Sequence, residues 1–139
     1  MNKAPEKYLP AVERIHVAGL SEAIERNGVP LSTVVRANGF VFVSGLPPID
    51  PATGKMIKGD IETQLRRALQ NVKLALEAAG SSLGNIVKIN VFVANAGFFP
   101  TINKVYSQFF EGVYPARTCV AVGSWPFEAD VEVEAIALA

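Results

Sequence analysis

At 139 residues the chain has the length of one ordinary domain, enough to bury a core without disulfides or a structural metal. Apolar residues make up 50% of it and charged residues only 19%, below the roughly 25% typical of soluble domains; no apolar run approaches the ~20 residues of a membrane span, so the surplus is expected to be buried between subunits. Thirteen Lys and Arg against thirteen Asp and Glu leave a formal charge of zero, which excludes a general field for nucleic acid or anionic lipid.

The opening stretch MNKAPEKYLPAVERIHVAGL has neither the apolar centre nor the small-residue cleavage site of a secretory signal, and Cys119, the single cysteine, has no partner for an internal disulfide. The expected compartment is the cytoplasm. His16 is the only histidine, so no Cys and His cluster exists to build a zinc site, and no metal or cofactor is expected. Residues 1–11 are polar and proline-bearing, which predicts a loose arm ahead of a single domain over 12–139. VERIHVAG offers a short alternating stretch, and LSEAIERNG a helical turn ended by Gly28.

LSTVVRANGFVFVSG reads as a β-hairpin, with the turn at Ala37-Asn38-Gly39 and the return strand from Phe40 to Ser44. The proline- and glycine-rich LPPIDPATGKMIKGD is a connecting loop. Asp60 then caps a long helix, because Ile61, Leu65, Leu69, Val72 and Leu76 recur at spacings of three and four, with Gly80 closing it. Gln64, Arg67, Asn71 and Lys73 fall mainly off that stripe and read as a solvated face. IVKINVFVAN is a buried strand, expected to pair in parallel with the strand before the helix through a right-handed crossover. FPTINKVYSQFFEGVYP is a second helix, with Ile102, Val105, Tyr106 and Phe109 on one side and Gly112 and Pro115 at its end.

Two terminal strands complete a β-β-α-β-α-β-β pattern, an α+β mixed sheet with both long helices on one face. The other face of such a sheet needs a cover, and in a chain this apolar the expected cover is another copy of itself.

The terminal strands also carry the candidate chemistry. Alternation from Arg117 to Gly123 puts Arg117, Cys119, Ala121 and Gly123 on one face, where small neighbours leave room beside the arginine. In VEVEAIALA the carboxylates Glu132 and Glu134 share one face, and in an apolar strand they need partners. Arg117 and a glutamate could form a structural ion pair at an interface; equally, Arg117 could grip a carboxylate or phosphate through its planar fork while a glutamate positions water. Cys119 reads as a small buried hydrophobe or as a thiolate nucleophile. Ser44-Gly45 could present backbone N–H groups or a hydroxyl to a ligand, or simply end a strand. Asn103 could be an exposed or capping amide, and Trp125-Pro126 a turn.

Taken in order, FVFVSGLPPIDPATG, DIETQLRRALQNVKLALEAAGSSLGNIVKINVFV, NKVYSQFF, PARTCVAV and VEVEAIA resemble the Rid (YjgF) family of reactive-intermediate imine deaminases, over roughly the last three quarters of the chain. The resemblance implies a chorismate-mutase-like fold assembled as a homotrimer with three clefts between subunits. It further implies that Arg117 of the PAR motif binds the carboxylate of a 2-imino acid or its enamine tautomer, and that Glu132 helps hold the attacking water. Cys119 would line the pocket, while Ser44, Gly45 and Asn103 would match positions on the neighbouring subunit's side of the cleft. Where well-characterised imine deaminases carry a tyrosine before the first core strand, an ungapped count back from Ser44 places Leu31.

The expected activity is hydrolysis of 2-imino acids such as 2-iminobutanoate or 2-iminopropanoate to 2-oxo acids and ammonia. A protonated imine is already electrophilic, so a gripped carboxylate and one placed water are sufficient without metal or cofactor. The alternatives are deamination of an aminomuconate-like enamine and non-enzymatic binding of small carboxylates. Zero net charge and the lack of a histidine acid–base pair argue against a ribonuclease or translation inhibitor.

Overall fold

The structure, a computed structural model, describes residues 11–126 and 128–139, so all but the last residue of the expected N-terminal arm lies outside the described residues. Strand β1 (Glu13–Ile15) and helix α1 (Leu20–Arg26) precede the hairpin of β2 (Val34–Ala37) and β3 (Phe40–Leu46). The hairpin turn is the two residues Asn38 and Gly39, both left-handed at φ 50° and 80°, and Ala37 belongs to the strand. Two consecutive positive φ angles match the right-handed twist of the flanking strands, which is why Asn-Gly stands there.

Helix α2 (Ile61–Ala78) starts on Asp60, whose carboxylate accepts a 2.8 Å bond from the Thr63 backbone N–H, and gives way at Gly80, φ 78°. Strand β4 (Ile86–Val93), helix α3 (Phe99–Phe110), strand β5 (Ala116–Ala121) and strand β6 (Val131–Leu138) follow. Glu111 and Gly112, at φ 53° and 86°, turn the chain out of α3.

The six strands form one sheet in the order β1-β2-β3-β6-β4-β5, in which only β4 and β5 pair in parallel. This corrects one sequence expectation. Strands β3 and β4 run in the same direction across α2 but do not pair, because β6 lies between them and is antiparallel to both. The last strand, rather than the crossover partner, completes the centre of the sheet.

One face of the sheet carries the core. Val41, Val43, Ile89, Val91, Val131 and Val133 are almost wholly buried, in one cluster with Leu65, Leu69, Val72 and Leu76 of α2 and Ile102, Val105 and Tyr106 of α3. The heptad-like spacing on α2 and the two-residue alternation on the strands supply these faces, and each fully buried aliphatic side chain contributes about 2 kcal/mol. The opposite face is different: Phe40, Phe42, Val120 and Leu138 are 38–48% exposed, an uncovered apolar patch in the single chain.

The helix face read as solvated needs a second correction. Gln64 and Asn71 are buried, and Asn71 is wholly so. Asn71 donates to the carbonyls of Pro47 (3.1 Å) and Ile49 (2.8 Å), and Gln64 donates to Gly59 O and the Asp130 carboxylate. These amides bind the long connecting loops to α2, since buried loop carbonyls need donors and no strand supplies them.

Candidate active site

Strand β5 is a sheet edge, and its parallel register sets Arg117 beside Ile89 and Cys119 beside Val91. Ile89 and Val91 face the helices, so Arg117 and Cys119 do too. Arg117 is exposed, and its guanidinium donates a 2.7 Å bond to Asn103 Oδ1 of α3 while lying 4.8 Å above the centre of the Tyr106 ring. Asn103 and Tyr106, three apart on α3, therefore hold the guanidinium from one side and leave the rest of its planar fork open. Among the described residues no carboxylate lies within ion-pair distance of it.

Within one chain Asn103 thus contacts Arg117 directly. Tyr106 was legible only as an apolar helix residue. Its hydroxyl is buried without a hydrogen-bond partner among the described residues, and burial pushes its pKa up to about 12 against the opposing charge of Arg117. Cys119 is half-buried against the core, and burial likewise raises its thiol while Arg117 partly offsets the rise. A thiol so raised stays protonated at neutral pH, which disfavours the nucleophile reading.

A second cluster lies on the opposite face. Alternation along β6 buries Val131 and Val133 against the helices and turns Glu132 and Glu134 the other way. Glu134 accepts a 2.9 Å bond from Asn90 of β4. Glu132 abuts Gly45, at the irregularity of β3 between Val43 and Leu46: a Cβ added at Gly45 would lie 2.8 Å from Glu132 Cδ, and nearer still to Oε1. A side chain at Gly45 would displace the carboxylate, because only a bare backbone lets it lie so close. Burial first, and the neighbouring Glu134 second, hold the Glu132 carboxyl above its ordinary value.

Ser44 is spent locally, its hydroxyl donating to Ser32 O at 2.6 Å and its N–H to Thr33 O at 3.0 Å. Leu31 is 42% exposed and lines, with Gly45, a cleft of about 640 Å³. The sequence pattern did not single out Ile24, Val29 and Met56, which share that cleft. Loop residues and a short helix carry no periodic signal for such a wall.

The two clusters do not meet within one chain. Arg117, Asn103 and Tyr106 lie on the helix face at the β5 edge; Gly45 and Glu132 lie on the other face, with β4 between β5 and β6. At about 4.8 Å per strand the lateral offset alone is about 10 Å, and the sheet intervenes. No single ligand of a few carbons touches Arg117 and Glu132 of the same copy. Among the described residues there is also no group of three or more His, Cys, Asp or Glu placed to hold a metal ion, and no helix long and apolar enough to cross a membrane.

Residues 9–139 match the family model described as endoribonuclease L-PSP. The chain is similar to a RutC family protein of Pyrococcus horikoshii, 43% identical over 108 residues, covering 78% of this chain and 86% of that protein. It is 44% identical over 107 residues to TdcF of Escherichia coli (strain K12), named as a reactive intermediate deaminase, covering 75% of this chain and 82% of that protein. Among solved structures, YyfA of the Rid protein family from Yersinia pestis superposes with a TM-score of 0.85 at 35% identity, covering 93% of this chain and all of that one. E. coli TdcF with bound serine gives 0.74 at 42% identity, covering 79% and 88%.

Proposed function

The chain belongs to the endoribonuclease L-PSP family, which is the YjgF or Rid family, and from that premise we propose that it deaminates 2-imino acids or their enamine tautomers by hydrolysis, in sites shared between copies of a homotrimer. The observation that carries this reading is the Arg117 guanidinium, exposed, held by Asn103 at 2.7 Å and seated on Tyr106, with its fork turned to no carboxylate of the described chain. Such a fork is preorganised for a bidentate substrate carboxylate.

The separation of Arg117 from Glu132 favours an assembly. One copy supplies Arg117, Asn103 and Cys119; the next supplies Gly45 and Glu132, and the exposed apolar sheet face around Phe40, Phe42 and Val120 is the surface the copies would bury. Ser44 acts there by shaping the backbone ahead of Gly45, because its hydroxyl is committed to Ser32.

The chemistry follows from these groups. Arg117 fixes the carboxylate, and the adjacent protonated imine carbon is the electrophile. Glu132 accepts a hydrogen bond from a water and takes its proton as the oxygen bonds to C2 and the C=N π pair moves to nitrogen. The carbinolamine then collapses: its O–H proton leaves, the C–N bond breaks, and nitrogen departs as ammonia with the proton returned from Glu132. Imine and water go in, 2-oxo acid and ammonia come out. A carboxyl raised above its usual value is a better proton carrier near neutral pH than an ordinary surface glutamate.

Purified protein should speed ammonia release from 2-iminobutanoate or 2-iminopropanoate formed in situ, and Arg117→Ala should abolish the effect. Unchanged activity in that variant would remove Arg117 from the mechanism. The second reading, a non-catalytic binder of small carboxylates through the same arginine, is favoured by the serine in the E. coli TdcF structure. Binding of 2-oxo acids without turnover of any imine, an aminomuconate-like enamine included, would select it.

A further inference from the structure

We propose that the cleft beside Gly45 is a side-chain subsite selecting 2-imino acids with bulky apolar side chains, branched aliphatic or aromatic, over the shortest ones; the inference rests on the deaminase reading above. The cleft, about 640 Å³, lies within the usual 300–1,000 Å³ of small-molecule sites. It shares Gly45 with the Glu132 cluster, so a substrate whose C2 faces a water on Glu132 has the cleft as the adjoining space.

Its walls are Ile24, Val29, Leu31, Pro47, Ile49 and Met56. Val29 and Leu31 are 39% and 42% exposed, large apolar groups left wet in the cleft that Gly45 also lines. Covering such surface with an apolar group is favourable by about 25 cal/mol per Å².

The walls are also held in place before any ligand arrives. Asn71 grips the carbonyls of Pro47 and Ile49 from α2. The loop closes on itself through the Ile49–Met56 bridge, Asp50 N–H to Lys55 O at 2.8 Å and Ile57 N–H to Pro48 O at 2.9 Å. Helix α1 is fitted to that loop by two left-handed glycines: Gly19 packs on Pro51, and Gly54 leaves room for the Arg26 guanidinium. Ile24 reaches the cleft because of this fit. The charges of Lys55, Lys58 and Glu128 stand on exposed residues of the lining, while the other side chains there are mostly apolar. That arrangement matches an apolar occupant rather than a second carboxylate.

The test compares 2-imino acids made in situ by an amino acid oxidase from alanine, leucine, phenylalanine and glutamate, with ammonia release as the readout. The leucine- and phenylalanine-derived imines should exceed the alanine-derived one at least about tenfold in kcat/KM. Val29→Asp and, separately, Met56→Asp should cut that ratio about tenfold or more, because each sets a carboxylate against the apolar side chain. In parallel, calorimetry should show 4-methyl-2-oxopentanoate binding more tightly than pyruvate, with the difference lost in both variants. A ratio of one or below, or a lead for the glutamate-derived imine, would overturn the subsite. If no imine is turned over at all the deaminase reading fails, and the 2-oxo acid binding ratio alone then upholds or overturns the subsite.

Discussion

Replacing Gly45 with alanine perturbs the candidate site at one defined point. The new Cβ would stand 2.8 Å from Glu132 Cδ and 3.2 Å from Cγ, so the carboxylate carbon is about 0.6 Å inside the 3.4 Å at which ordinary contact begins, and Oε1 is further inside. The Gly45 backbone is not left-handed, so alanine meets no backbone strain, and its lower unfolded-state entropy contributes about 0.4–1 kcal/mol of stability. The carboxylate ends a flexible side chain and can swing away. Stability should therefore change by less than about 1 kcal/mol, while a displacement approaching 1 Å at a catalytic group costs up to about 100-fold in kcat/KM. The assay is ammonia release with thermal unfolding of the same samples, in wild type, Gly45→Ala, Glu132→Ala and the double variant. Because both changes strike one contact, their effects on activity should be strongly non-additive. Wild-type activity in Gly45→Ala, or additive losses in the double variant, would refute the placement of Glu132 against Gly45.

Glu132→Gln should leave the melting temperature unchanged near pH 4 and raise it at pH 8. The folded carboxyl titrates above its ordinary 4.5, so its ionisation costs stability that is intact below 4.5 and is lost as pH rises through the folded value; glutamine never ionises. A lower melting temperature at pH 8 would contradict that sign. Arg117→Lys should weaken 2-oxo acid binding by about tenfold or more through loss of the fork, with stability within about 0.5 kcal/mol of wild type because the position is exposed. Asn71→Ala should cost about 2 kcal/mol by stranding two buried loop carbonyls, seen as a lower urea midpoint at an unchanged slope. Alkylation of Cys119 by iodoacetamide should be slow at pH 7 and still be climbing with pH where an ordinary cysteine has levelled off, as a thiol raised by burial requires.

The sequence was most informative where a single element decides its own fate. Asp60, the Ile61-to-Leu76 stripe and Gly80 mark α2 because capping and periodicity are local. Asn38-Gly39 marks the hairpin for the same reason, although the turn is one residue shorter than read. Relations between elements were less legible. Nothing in the alternation of β6 says that it slots between β3 and β4, since strand order is decided by long-range pairing. Gln64 and Asn71 look like surface residues on a helical wheel; their burial depends on loops that only the folded chain brings to them. Family resemblance named Arg117 and Asn103 but not their contact within one chain, while the i, i+3 pair Asn103 and Tyr106 was the available sign that both reach the same arginine.

Mixing two impaired variants tests the central claim most directly. Arg117→Ala and Glu132→Ala chains, each reduced to a small residual rate of ammonia release from 2-iminobutanoate, are unfolded together in equal amounts and reassembled. If each site takes Arg117 from one copy and Glu132 from the next, random assembly restores both wild-type groups to about a quarter of the sites, and about a quarter of wild-type activity returns. A mixture no more active than its two components would contradict the shared site.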